Sequence, residues 1–422
     1  MSLSAADVAA WVRDLGEVGA PDDRVDDAER VELLRALQEL KGAASAAQAR
    51  TAHRFAQSQR DEQRKAGVPA HRVGQGVAAQ VGLAVRQSPA RATRLLATAQ
   101  VLCTEMPHTL AALSRGEIDS WRATVLVRET ACLAREHRAT IDEKVGGADD
   151  VGALGTKQLA AKAARLAARL DSAGVAARRR LAEEERRVTV RPAPDTMTYV
   201  TALLPVVQGV AMYAALDRVA RQARATGDER TRGQVMADTL VELVTGRRTD
   251  VPPPVDLHLV MTDRALLASD DEPAVLPGYG LVPADAARDV VQRALTDAQV
   301  AVRRLFVAPT AGQLMAMESR SRLAPAGLAA FVRDRDQVCR TPWCGAPVRH
   351  VDHVEAFRDS GTTVASGLQG LCEACNYAKD AIGWATLPRP GPGHVTEITT
   401  PTGHVYLSFA PPAPGWGEDE VA

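Results

Sequence analysis

CRTPWCGAPVRHVDHVEAFRDSGTTVASGLQGLCEACNYAKDAIGW, residues 339–384, holds four of the chain's six cysteines, as C-x4-C (Cys339, Cys344) and C-x2-C (Cys372, Cys375). Two such pairs about 30 residues apart supply the tetrahedral thiolate set that zinc prefers, each pair gripping from a tight turn. Pro342 and Gly345 suit the first turn. In a chain without an export signal, such a cluster points to metal rather than to disulfides. Zinc would staple a segment too small to hold itself together by apolar burial. The other two cysteines, Cys103 and Cys132, stand alone in helical pattern and read as small buried hydrophobes.

Four thiolates close the coordination shell, so the expected zinc is structural and any chemistry must come from the residues between the pairs. VRHVDHVEAF (348–357) alternates like a strand and contains Asp352-His353. RDSGTT reads as a turn or loop. CEACNYAKDAIGW then starts a helix near Cys372, with Cys372, Cys375, Asn376 and Lys379 along one face. Zinc would pin the start of that helix, and Asn376, directly after a pinned cysteine, is expected near Asp352.

Asp352-His353 followed by L-C-x2-C-N-x2-K and G-W resembles the HNH endonuclease family, with its ββα-metal fold and zinc-ribbon support. The upstream text, especially LLATAQVLCTEMPHTLAALSRGEIDSWRA and RGQVMADTLVELVTGR, resembles the helical domain of unknown function that precedes HNH modules in many high-GC bacterial proteins. The resemblance implies that His353 is the general base taking a proton from the attacking water. It implies that Asp352 and Asn376 ligate one Mg2+ or Mn2+ through oxygen, and that double-stranded DNA is the substrate. Lys379, and more weakly Arg349 and Arg358, are candidates for phosphate contact, and His350 is a candidate ligand or supporting partner. One position departs from the family's pattern: Gly367 stands where its middle asparagine, which orders the loop and helps orient the base, is usual. That departure implies lowered activity or a degenerate nuclease. The alternative function is therefore a catalytically degenerate, zinc-stapled nucleic-acid-binding or protein-interaction protein.

The chain of 422 residues is 46% hydrophobic, 24% charged and only 4% aromatic, with a formal net charge of −1. Length predicts two or three domains, and the composition favours helices. The expected fold class is a mainly α N-terminal domain with a few strands (28–318), a small C-terminal ββα-metal module (325–385) and a Pro/Gly-rich tail (386–422). In that tail HVTEITT and HVYLSF flank PTG as a hairpin. Amphipathic period predicts a long helix over 28–66 with Leu33, Leu34, Leu37 and Leu40 on one side, and further helical pattern through 157–187. There RRRLAEEERR reads as an ion-paired face. RVTV and MTYVTALL read as strands, as do VDLHLVMT (255–262) and a hairpin of RRLFVA and GQLMAM (303–317). Thr196 to Leu216 lacks charge, but Pro205, Gln208 and Gly209 predict a buried strand running into a buried helix rather than a membrane span. With no signal peptide at the N-terminus, a cytoplasmic location is expected. His53, His71, His108, His137 and His258 are scattered without ligand spacing. Basic and acidic side chains are evenly matched across 331–389, so strong salt-dependent binding by this module alone is not expected.

Overall fold

The computed structural model describes residues 4–17, 26–246, 259–267, 270–276, 279–297, 318–319, 324–390 and 393–413. The expected hairpin at 303–317, the strand text at 255–258 and His258 lie outside the described residues. The chain is mainly helical with a few short strands, and it divides into two compact units. One comprises Met1–Ser58 and Arg94–Arg178, the other Gln59–Thr93 and Arg179–Ala422.

The first unit is a helical cluster. Helix Thr156–Leu170 buries Leu159, Ala163 and Ala167, whose four-residue spacing forms one stripe. They join Leu102, Met106, Leu113, Ile118, Leu126 and Ile141 in a single core. Cys103 and Cys132 pack half-buried at its margin, as small hydrophobes do. Pro107 ends one helical run and opens the next, Pro107–Ser114, because a missing N–H costs nothing in a first turn. The amides of His108 and Thr109 in that turn donate to the buried carboxylate of Asp142, at 2.7 and 2.8 Å. Helix Ser120–Glu129 starts on Asp119, whose carboxylate accepts from the Arg122 amide at 2.7 Å. The long helix Asp27–Lys65 passes so close to Gly116 (φ +76°) that a Cβ there would meet the backbone of Glu39.

In the second unit, the uncharged stretch from Thr196 is a strand, Met197–Leu203, running into helix Val206–Ala225. Among the described residues no helix is long and apolar enough to cross a membrane. The expected burial of this stretch is found only at its end, at Leu216: Met197, Tyr199, Val200, Leu203, Val206 and Val207 are all exposed. Among the described residues the strand pairs only with Arg187–Ala193, and a two-stranded sheet has no second layer of its own to cover its apolar face. The helical pattern over 157–187 breaks at Asp171, where a second helix, Ser172–Glu184, begins. Arg179 and Glu183 do form an i,i+4 pair at 3.6 Å, but Arg187 leaves the helix to open a strand.

The same unit carries the cysteine segment. Helix Ala326–Asp336 buries Leu328 and Val332 against Ala365 and Leu368. Strand His350–His353 runs antiparallel to Leu368–Leu371, with Asp352 opposite Gln369 and His353 opposite Leu368. Helix Glu373–Lys379 follows directly. Strands Ala385–Arg389, Val395–Thr399 and Val405–Phe409 form a three-stranded antiparallel sheet with Val395–Thr399 in the middle. Residues 70–84 seat against this region. The Gln75 side chain donates through Nε2 to the Tyr377 carbonyl at 2.6 Å, and Gly76 (φ +81°) leaves room for the Trp384 indole, which a Cβ would strike.

Candidate metal centre

Each cysteine pair is presented by local backbone. Before the first pair, the Cys339 amide bonds to the Ala346 carbonyl at 2.8 Å, and Trp343 (φ +59°) and Gly345 (φ +60°) turn the chain through Cys344. In the second pair Cys372 caps helix Glu373–Lys379, its sulfur accepting from the Cys375 amide at 3.5 Å. The four sulfurs lie within 4.8 Å of one another. Cys344 Sγ is 3.6 Å from Cys372 Sγ and 3.8 Å from Cys375 Sγ. A tetrahedral zinc with ~2.3 Å bonds to sulfur sets neighbouring sulfurs about 3.8 Å apart, so this donor set fits the ion. These contacts are far too long for disulfides. Thiol-to-thiol hydrogen bonding holds Cys339 and Cys372 below the usual thiol range and pushes Cys344 and Cys375 above it. Four thiolates this close cannot coexist without a cation, and a divalent metal supplies the missing charge. The cluster can therefore hold a metal such as zinc.

Beside the cluster, Asp352 and His353 are the last two residues of strand His350–His353. The Asp352 carboxylate is half-exposed and pairs with Lys379 Nζ at 2.9 Å. It also accepts the His353 amide at 2.8 Å, and His353 Nδ1 lies 3.8 Å away. The His353 ring is buried; its Nε2 lies 3.0 Å from Thr363 Oγ1, and Phe357 packs with a ring-centre distance of 5.2 Å. Asn376 Oδ1 is buried with no hydrogen-bond partner among the described residues. His350 sits 6.4 Å from the Tyr377 ring, and Arg349 is exposed, its amide bonded to the Leu371 carbonyl. Arg358 is exposed and pairs with Asp359. Lys379 is thus an ion-pair partner of Asp352 rather than a free surface cation. A concavity of about 460 Å³ opens along the same helix, lined by His71, Arg72, Val73, Gln75, Tyr377 and Asp380.

Sequence reasoning did not single out the buried polar network under this site. Asp336 is fully buried and accepts from Arg335 at 2.7 Å, Arg340 at 3.1 Å and the Gly370 amide at 2.6 Å. Arg340 also donates to the carbonyls of His394 and Ser408, each at 2.8 Å. His394 is held neutral between Arg340 and the Ser366 carbonyl. Its imidazole is pushed down to about 4, chiefly by burial and then by the Arg335 charge. An unfolded chain protonates this histidine near the ordinary ~6.5, whereas the folded protein resists until about 4. The folded state is therefore expected to keep its full contribution above pH ~6.5 and to lose about 3 kcal/mol as pH falls through that interval. Denaturant titrations from pH 7 to 4 measure this, and His394→Gln is expected to remove that part of the slope.

A mainly helical chain bearing a four-cysteine cluster that could hold a metal is the class that fold and site define. Residues 34–336 match the family described as Domain of unknown function (DUF222), and the chain belongs to that family. No curated protein and no solved structure matches the chain. The matched span ends at Asp336, ahead of Cys339, so the whole cysteine cluster lies beyond it.

Proposed function

We propose that this protein is an HNH-type endonuclease that hydrolyses phosphodiester bonds of double-stranded DNA, with its zinc-stapled segment as the catalytic module. The observation that carries the reading is the antiparallel pair His350–His353 and Leu368–Leu371 followed by helix Glu373–Lys379, which gathers Asp352, His353 and Lys379 beside the four-cysteine cluster. Asp352 and Asn376 would hold one Mg2+ or Mn2+; the buried Oδ1 of Asn376, without a hydrogen-bond partner among the described residues, is the kind of oxygen a hard cation takes. Such an ion stabilises negative charge on the phosphoryl group and the departing oxygen. His353 removes the proton of the attacking water. In the tautomer that donates Nε2–H to Thr363, Nδ1 carries the lone pair that this step needs. Lys379, released from Asp352 when substrate binds, neutralises phosphate charge.

The second reading, a zinc-stapled binding module without catalysis, is favoured by the Lys379–Asp352 pair, which already balances the carboxylate, and by Gly367. Supercoiled plasmid incubated with purified protein in Mg2+, Mn2+ or EDTA separates the two. Metal-dependent nicking that drops at least ~100-fold in His353→Ala is the expected result, since general-base catalysis contributes about 10²–10⁴. Unaltered DNA binding with no cutting in any metal establishes the binding module instead.

A further inference from the structure

We infer that Thr363 is the positioning residue for His353, supplying through its hydroxyl the orientation that Gly367 has no side chain to give; the catalytic consequence rests on the nuclease reading above. Thr363 Oγ1 lies 3.0 Å from His353 Nε2, with Thr363 fully buried and His353 nearly so. Water cannot substitute for that hydroxyl without entering a packed site. The ring is held on another side by Phe357, so hydrogen bond and packing together leave it one orientation. With the proton on Nε2, the opposite nitrogen faces the Asp352 carboxylate 3.8 Å away. A hydroxyl can donate to a ring nitrogen or accept from it, so what Thr363 fixes is the direction of Nε2 and with it the ring's orientation.

The backbone explains why residue 367 is dispensable for order. Four successive carbonyls after Thr363 are all held. Arg335 donates to Ala365 O and to Leu368 O, each at 2.7 Å. His394 Nε2 reaches Ser366 O at 3.0 Å, and the Val354 amide reaches Gly367 O at 2.8 Å. A Cβ added to Gly367 would meet Val364 Cγ2 at an ordinary 3.5 Å, and glycine itself offers the ring no side chain. The loop is fixed through its main chain and the base through Thr363.

The test uses the full-length, zinc-loaded protein with ¹⁵N-labelled histidine, comparing Thr363→Val, which removes the hydroxyl at nearly constant shape, with Thr363→Ser, which keeps it. The His353 signals are assigned by their loss in His353→Gln. At one pH where the ring is neutral, wild type and Thr363→Ser are expected to show one and the same tautomer, and Thr363→Val a mixture. In plasmid nicking, Thr363→Val is expected to lower kcat at least tenfold with KM unchanged, and Thr363→Ser to stay within threefold of wild type. An unchanged tautomer in Thr363→Val overturns the inference whatever the nicking result. Absence of metal-dependent nicking in wild type defeats the nuclease reading alone, because the ring measurement still decides Thr363. Should Thr363→Val fail to retain zinc, Thr363→Ala is read by the same criteria.

Discussion

Stripping the metal with a strong chelator, or replacing Cys375 with Ser, is expected to unfold residues 339–384 while the helical core around Leu102, Leu126 and Leu159 persists. The apolar support of the segment is slight: Leu328, Val332, Ala365 and Leu368 form its main buried cluster. Its sheet is two strands of four residues and its helix has seven, neither of which is stable alone in water. A structural zinc contributes an apparent ~10–16 kcal/mol, comparable to or above the ~5–15 kcal/mol that holds a whole domain. Removing it also leaves four close thiols to be desolvated with no charge to compensate them. Elemental analysis is expected to give one zinc per chain. Limited proteolysis with mass spectrometry is expected to show new cuts between Cys339 and Trp384 only after chelation. Cys103→Ser serves as the control, because that sulfur packs at the margin of the other unit and lies outside the cluster. A metal-free chain as protected as the native one would refute the stapling role.

Much of this was legible in the sequence where the physics is local. The cysteine pairs announce themselves because a turn brings residues three or five apart together whatever the rest of the chain does. The helix over 27–65 follows from period alone, yet Leu33, Leu34, Leu37 and Leu40 are exposed in it, so the pattern gave the conformation and not the burial. The same limit applies to RVTV and MTYVTALL, which pair as expected but stay uncovered. The even balance of basic and acidic residues over 331–389 counts Arg335 and Arg340 like any other charge. Both guanidiniums are buried, and their partners lie far along the chain at Ala365, Leu368, His394 and Ser408. No local rule brings those partners in. Thr363 is hidden for the same reason: its partner, the His353 ring, lies ten residues earlier and only the fold brings the two together.

That network carries the second large effect. Asp336→Ala is expected to destabilise the zinc-loaded protein by about 3–5 kcal/mol, the usual cost of breaking a buried ion pair by deleting one partner. The carboxylate is fully buried and serves Arg335, Arg340 and the Gly370 amide at once. Its loss leaves two buried guanidiniums repelling each other, one of which, Arg340, is already held below the usual arginine range chiefly by burial. Asp336→Asn restores an acceptor but not the charge, so it should recover only part of the loss. Arg358→Ala supplies the contrast: its pair with Asp359 at 3.4 Å is exposed, and its removal should cost under ~1 kcal/mol and vanish in high salt. Denaturant curves for the three variants with zinc saturating, at low and high salt, measure both effects. If Asp336→Ala proved as mild and as salt-sensitive as Arg358→Ala, the buried network would not hold the loop at 365–368. Because Arg335 grips that loop and Asp336 holds Arg335 in place, the same variant should also loosen the Val354 amide, visible as faster hydrogen exchange there before the module unfolds.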